Sequence, residues 1–88
     1  MRLANVELRA KKSPKTFFIP PLEERKSLKR GDFALLIFNN RERMWVKVSK
    51  KAEGGYAGTL SNDPVVVDMK FGDPVEFKYR HIADIRSK

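Results

Sequence analysis

The stretch DFALLIFNNRERMWVKVSK, Asp32 to Lys50, decides how the chain folds. Its first part, Phe33 to Phe38, is apolar on both faces of an extended chain, the mark of a strand with neighbours on each side. Asn39-Asn40 is a turn. After Arg41-Glu42, residues Met44, Val46 and Val48 fall on one face and Trp45, Lys47 and Ser49 on the other, the spacing of a half-buried strand. Two such runs around a turn make a β-hairpin.

Working outward from the hairpin, the turn signals repeat. Lys50 to Gly55 is a basic turn ending in a glycine pair, and Tyr56 to Leu60 is the next strand, with Gly58 marking a bulge or a tight barrel corner. Ser61-Asn62-Asp63-Pro64 is a turn, and Val65-Val66-Val67 is a short β-branched strand. Lys70 to Pro74 turns again. Val75, Phe77 and Tyr79 then alternate with Glu76, Lys78 and Arg80 in a last strand. His81 to Ile85 has the i, i+3 spacing of a final helical turn with Ile82 and Ile85 tucked inward.

On the other side of the hairpin, Pro20-Pro21 opens a helix over Leu22 to Arg30, since a proline in the first turn sacrifices no hydrogen bond. Glu23 and Glu24 come first and the bases last, which complements the helix dipole. Gly31 ends the helix. Thr16-Phe17-Phe18-Ile19 is an apolar patch that must pack on something. Lys11 to Lys15 is a basic loop, and Asn5 to Ala10 alternates weakly, as a short edge strand or an ordered arm would.

The predicted class is therefore α+β, mostly β: a small SH3-like, partly closed barrel of four to five antiparallel strands with one N-terminal helix. Residues 1–88 form a single domain, with 1–15 as a basic arm or edge strand and 16–88 as helix plus barrel. An apolar share of 41% suits a folded chain.

Cysteine is absent, which excludes disulfides, thiol catalysis and thiolate zinc sites and fits a cytoplasmic protein. The first residues lack the apolar core of a secretory signal. The longest apolar run, Phe33 to Phe38, falls far short of the roughly 20 residues of a membrane span, so no membrane partner is expected. Net charge is +8, and residues 1–30 carry nine bases against three acids, +6 of that total. Gathered in space, this excess makes a footprint for a polyanion or an acidic protein; dispersed, it only keeps the domain soluble.

Several segments carry a resemblance. Glu42-Arg43-Met44-Trp45-Val46, Gly58 to Pro64, Lys70 to Phe77 and His81-Ile82, with Phe18-Ile19-Pro20 and Gly31-Asp32, resemble a small bacterial family, the domain of unknown function numbered 2314. That family is similar to domains assigned to polymorphic-toxin immunity proteins. The resemblance spans roughly residues 16–85. It implies a compact mostly β domain and brings no reaction and no catalytic residues; residues 1–15 lie outside it.

Among candidate site residues, Trp45 either covers one end of the barrel, its indole N–H satisfied by a carbonyl, or offers a platform on which a base or a partner side chain stacks. Arg43 and Lys47 flank it on the same strand face. With Arg41, Lys50 and Lys51, and with Lys11, Lys12 and Lys15 from the arm, they have the composition that tracks a phosphate backbone; a solvated sheet face has the same composition. Asn62 and Asp63 read as turn formers bonding nearby backbone. His81 stands alone, without a nucleophile motif or a carboxylate pair, and no glycine-rich phosphate loop is present. The expected function is a non-enzymatic binding module without a cofactor. Its partner is nucleic acid or an acidic protein, and the alternative is a protein-interaction domain such as a toxin-immunity protein.

Overall fold

The computed structural model describes residues 2–88. Five antiparallel strands, β1 (Phe33–Phe38), β2 (Glu42–Ala52), β3 (Gly55–Leu60), β4 (Pro74–Lys78) and β5 (Asp84–Arg86), form one sheet in the order β4-β3-β2-β1-β5. Each of the first three pairs with its successor, and the last returns beside the first. The mostly β class holds. The edges β4 and β5 do not pair with each other, so hydrogen bonding leaves the sheet open rather than closing a barrel. A 3₁₀ turn, Tyr79–His81, carries the chain between them. The radius of gyration, 12.1 Å, is that of a compact chain of this length, about 12 Å.

The central hairpin follows from its turn. Asn39 and Asn40 have φ of 53° and 58°, left-handed values that asparagine tolerates, and with Arg41 they make the three-residue connection between the paired Phe38 and Glu42. This sets Leu35 opposite Trp45 and Ala34 opposite Val46. Ala34, Leu36, Phe38, Met44, Val46 and Val48 consequently point into one core, joined by Tyr56, Leu60, Val75, Phe77 and Ile82.

Two turns of one design feed strands. In Lys29-Arg30-Gly31-Asp32 and in Lys70-Phe71-Gly72-Asp73 the glycine has φ of 96° and 89°. In both, the Asp carboxylate accepts from the Lys N–H at 2.8 Å, and the Asp N–H donates to the Lys carbonyl at 2.9 and 3.0 Å. These are type II turns, which require a positive φ at their third residue.

The helices depart from expectation. There are two. Asn5 caps α1 (Val6–Lys12), its Oδ1 accepting from the N–H groups of Glu7 and Leu8 at 3.1 and 3.2 Å, with Glu7 in the first turn and Arg9, Lys11 and Lys12 in the last. The arm is thus helical over most of the segment that alternates weakly in sequence. Only its start pairs with the sheet: Ala4 donates to the Ile37 carbonyl at 3.0 Å, and Leu3 bridges Phe38.

The second helix, α2 (Leu22–Arg25), is one turn long, not the nine residues expected. The Arg25 carbonyl accepts from the buried Tyr56 hydroxyl at 2.7 Å, and the same hydroxyl accepts from the Leu28 N–H at 3.0 Å. Bonds to the core thus replace the next turn of the helical ladder.

Two further expectations are corrected. Residues 65–67 form no strand, because their N–H groups all turn onto the Glu42 carboxylate, at 2.7, 2.7 and 3.1 Å. The final helical turn is the 3₁₀ turn alone; Ile85 lies in β5 opposite Ala34.

Arg25 joins the layers. The residue is 6% exposed. It donates to the carbonyls of Pro20 and Tyr79 at 2.8 and 2.9 Å and pairs with Glu7 of α1 at 2.6 Å.

Candidate functional site

The strand alternation that fills the core places Phe33, Leu35, Ile37, Arg43, Trp45 and Lys47 on the opposite face of the sheet. The register aligns them in rows: Ile37 beside Arg43, Leu35 beside Trp45, Phe33 beside Lys47. On its other edge β5 adds Asp84 beside Leu35 and Arg86 beside Phe33. This second face is divided. Ala4, Val6, Phe17 and Ile19 cover Ile37 and Leu35 in a small core of their own. The half carrying Phe33, Trp45 and Lys47 is left uncovered by that cluster, with Lys47 exposed and both rings partly exposed.

Cations and aromatics interleave across this surface. Two guanidinium groups approach the Phe17 ring, Arg9 at 6.0 Å and Arg43 at 5.8 Å from its centroid. Arg86 lies over the Trp45 indole at 5.3 Å. These distances are within the range in which a cation is attracted to a ring face. Among the described residues the single ion pair is Arg25–Glu7, so Arg43, Lys47 and Arg86 have no carboxylate partner there. Glu24 and Asp84 bring two carboxylates to the hollow that Arg43 and Leu35 line, and the Asp84 Oδ1 accepts from the Ile85 N–H at 2.8 Å.

Three shallow hollows follow the stripe. One of about 350 Å³ lies among Arg9, Lys12, Ser13, Thr16 and Phe17. One of about 300 Å³ is lined by Phe33, Trp45, Ser61, Asn62 and Arg86. One of about 430 Å³ lies among Arg30, Lys47, Ser49 and Lys88. The middle hollow is held by the backbone of Trp45. Its N–H donates to the Asn62 side-chain oxygen, and its carbonyl accepts from the Ser61 N–H at 2.9 Å. Asn62 therefore substitutes for a ladder partner as the chain leaves β3, rather than making the local turn bond its sequence suggests.

The expected site residues divide accordingly. Arg43, Trp45 and Lys47 share the face, and Lys12 joins it through the hollow beside Phe17. Trp45 is neither a fully buried cover nor a bare platform; it is partly exposed beneath Arg86. Lys11 and Lys15 are exposed near the same end, and Arg41 is exposed at the hairpin turn.

A bulge between Val48 and Lys50 shifts the alternation by one residue, so Lys50 pairs with Ala57 and Lys51 with the core residue Tyr56. Lys51 thus lies on the far side of the sheet, where its Nζ donates to the Lys26 carbonyl at 3.1 Å. It does not belong with the others. Arg9, Phe17, Phe33 and Arg86 complete the stripe and were not legible as site residues. Arg86 joins only because β5 is a strand, and Arg9 only because α1 is a helix.

His81 serves the fold. Its Nδ1 accepts from the Lys78 N–H at 2.9 Å. Burial, with Arg80 and Lys78 nearby, holds its pKa below the ordinary 6.5. No protein-family model, curated protein or solved structure matches this chain. No helix among the described residues is long and apolar enough to cross a membrane.

Proposed function

We propose that this domain is a non-enzymatic, SH3-like binding module for nucleic acid, or for another acidic surface of that kind, engaged through the face of β1, β2 and β5. The SH3-like description rests on five antiparallel strands whose last returns beside the first. One observation carries the functional reading: cations without carboxylate partners alternate with half-exposed rings along one continuous stripe, from Arg9 past Arg43 and Trp45 to Lys47. Phosphates are met by the cations and base faces by the rings, the combination that binds a nucleic-acid strand without reading its sequence.

The test is oligonucleotide affinity over a salt series. Binding is expected at low salt, and its logarithm should fall linearly with the logarithm of salt concentration as counterions are released. No binding at low salt, or affinity that is flat across the series, ends the proposal. The double substitution Arg43→Gln with Lys47→Gln should shallow the slope by about 1 to 2.

A second reading, the protein-interaction domain that the family resemblance implies, has its own support in the loop after β3. Val65, Val66 and Phe71 are 89%, 54% and 63% exposed there, far from the cationic composition of the stripe. It predicts a partner that survives nuclease treatment and is lost on Val66→Asp, with the stripe variants unaffected.

A further inference from the structure

We infer that the hollow over Trp45 takes one unpaired nucleobase, so that the domain prefers single-stranded nucleic acid to duplex; this rests on the nucleic-acid reading above. The hollow has the parts a base requires. Trp45 and Phe33 line it. Arg86 covers the ring at 5.3 Å with no carboxylate to hold it there among the described residues. Its attachment is the weak cation–ring attraction of an exposed site, so the guanidinium can lift and close on a base stacked against the indole.

Polar groups stand at the rim. Asn62 spends its side-chain oxygen on the Trp45 N–H, which orients its amide and leaves that group's two donors without a protein acceptor among the described residues. Ser61 adds a hydroxyl. Lys47 lies one strand position pair beyond Trp45, about 7 Å along β2, in reach of the neighbouring phosphate. A duplex keeps its base faces stacked inside and offers this hollow only phosphate and sugar. A single strand offers a face.

Trp45 is the chain's one tryptophan, so its fluorescence reports on the hollow directly. The intact protein is titrated with an oligothymidylate of about 15 nucleotides and with a duplex of the same length, across the same salt series. Tighter binding of the single strand, with Trp45 fluorescence quenched by the single strand and not by the duplex, is expected. Trp45→Leu should weaken single-strand binding about 5- to 100-fold, to the duplex level, without changing the salt slope. Trp45→Phe, which keeps a ring, should retain part of the preference, and thermal melts establish that both variants are folded.

Equal affinity for the two forms without quenching overturns the base site and leaves the electrostatic reading standing. A single-strand preference that survives in a folded Trp45→Leu protein overturns it too. Absence of binding to either form at low salt removes both proposals.

Discussion

At the scale of single residues, a few buried polar groups decide more than most of the apolar ones. The Tyr56 hydroxyl is bound on both sides, to the Leu28 N–H and the Arg25 carbonyl, and burial raises its pKa above 10.0. Tyr56→Phe keeps the ring packing and orphans both backbone groups. A loss of about 1–3 kcal/mol is expected in urea unfolding, with the 25–28 segment showing faster amide exchange. Arg25→Ala removes three bonds at once, leaves the Pro20 and Tyr79 carbonyls without that donor, and should cost about 1–3 kcal/mol. That residue is a warning for sequence reading. Nothing in LEER distinguishes a buried, fully bonded arginine from a surface one, and Arg25 counts among the basic excess although it cannot reach a ligand.

At the scale of elements, the hairpin and the turn at Gly72 were legible because their causes are local, whereas Gly31, expected to stop a helix, lies in a second turn of the same design. An Asn-Asn pair tolerates positive φ, and a Gly-Asp pair makes its own type II turn, wherever either stands. Gly72 makes this testable, since a side chain there would meet open space whereas one on Gly55 would collide with the Phe77 carbonyl. Gly72→Ala should therefore lose only the conformational term, about 1–2 kcal/mol. Gly55→Ala must break the β3–β4 pairing and lose about 4 kcal/mol or more.

The short elements were not legible. Seven residues of α1 hold too few turns to express a 3.6-residue period, so alternation of Val6, Leu8 and Ala10 imitates a strand, and only the Asn5 cap signals otherwise. The Val65-Val66-Val67 run has the composition of a strand but joins no edge of the sheet. Glu42, 23 residues away, takes its N–H groups instead.

At the scale of the whole molecule, two groups link the fold to pH. Glu42 is held below its ordinary 4.5 by the N–H groups of Val65 and Val66 first, and His81 below its ordinary 6.5 by burial first. A pKa depressed in the fold means that the unfolded chain takes up the proton first, so stability is full above the ordinary value and falls as pH drops toward the folded one. Melting temperature should hold steady from about pH 6.5 to about pH 9, short of the Tyr56 titration. It should decline first as His81 loses its capacity to accept from Lys78, and again below about pH 4.5 as the Glu42 loop loosens. Glu42→Gln should flatten the second decline and His81→Gln the first. A melting curve unchanged between neutral and acid pH would refute both assignments.

What the sequence determined by itself was the pattern of local causes: the β-rich class, the central hairpin and its inward face of Met44, Val46 and Val48, and the Arg43–Trp45–Lys47 row on the other side. A period of two and the turn chemistry of asparagine and glycine need no partner. Only the tertiary structure decided where the sheet stays open, that Lys51 falls behind it, and that Arg9, Phe17 and Arg86 extend the row into a stripe. Those outcomes depend on a bulge, on a capped helix folding back over Ile37, and on a three-residue strand joining β1 across 50 residues of chain. Each is a contact between distant segments, and short segments take their conformation from what they pack against rather than from their own residues.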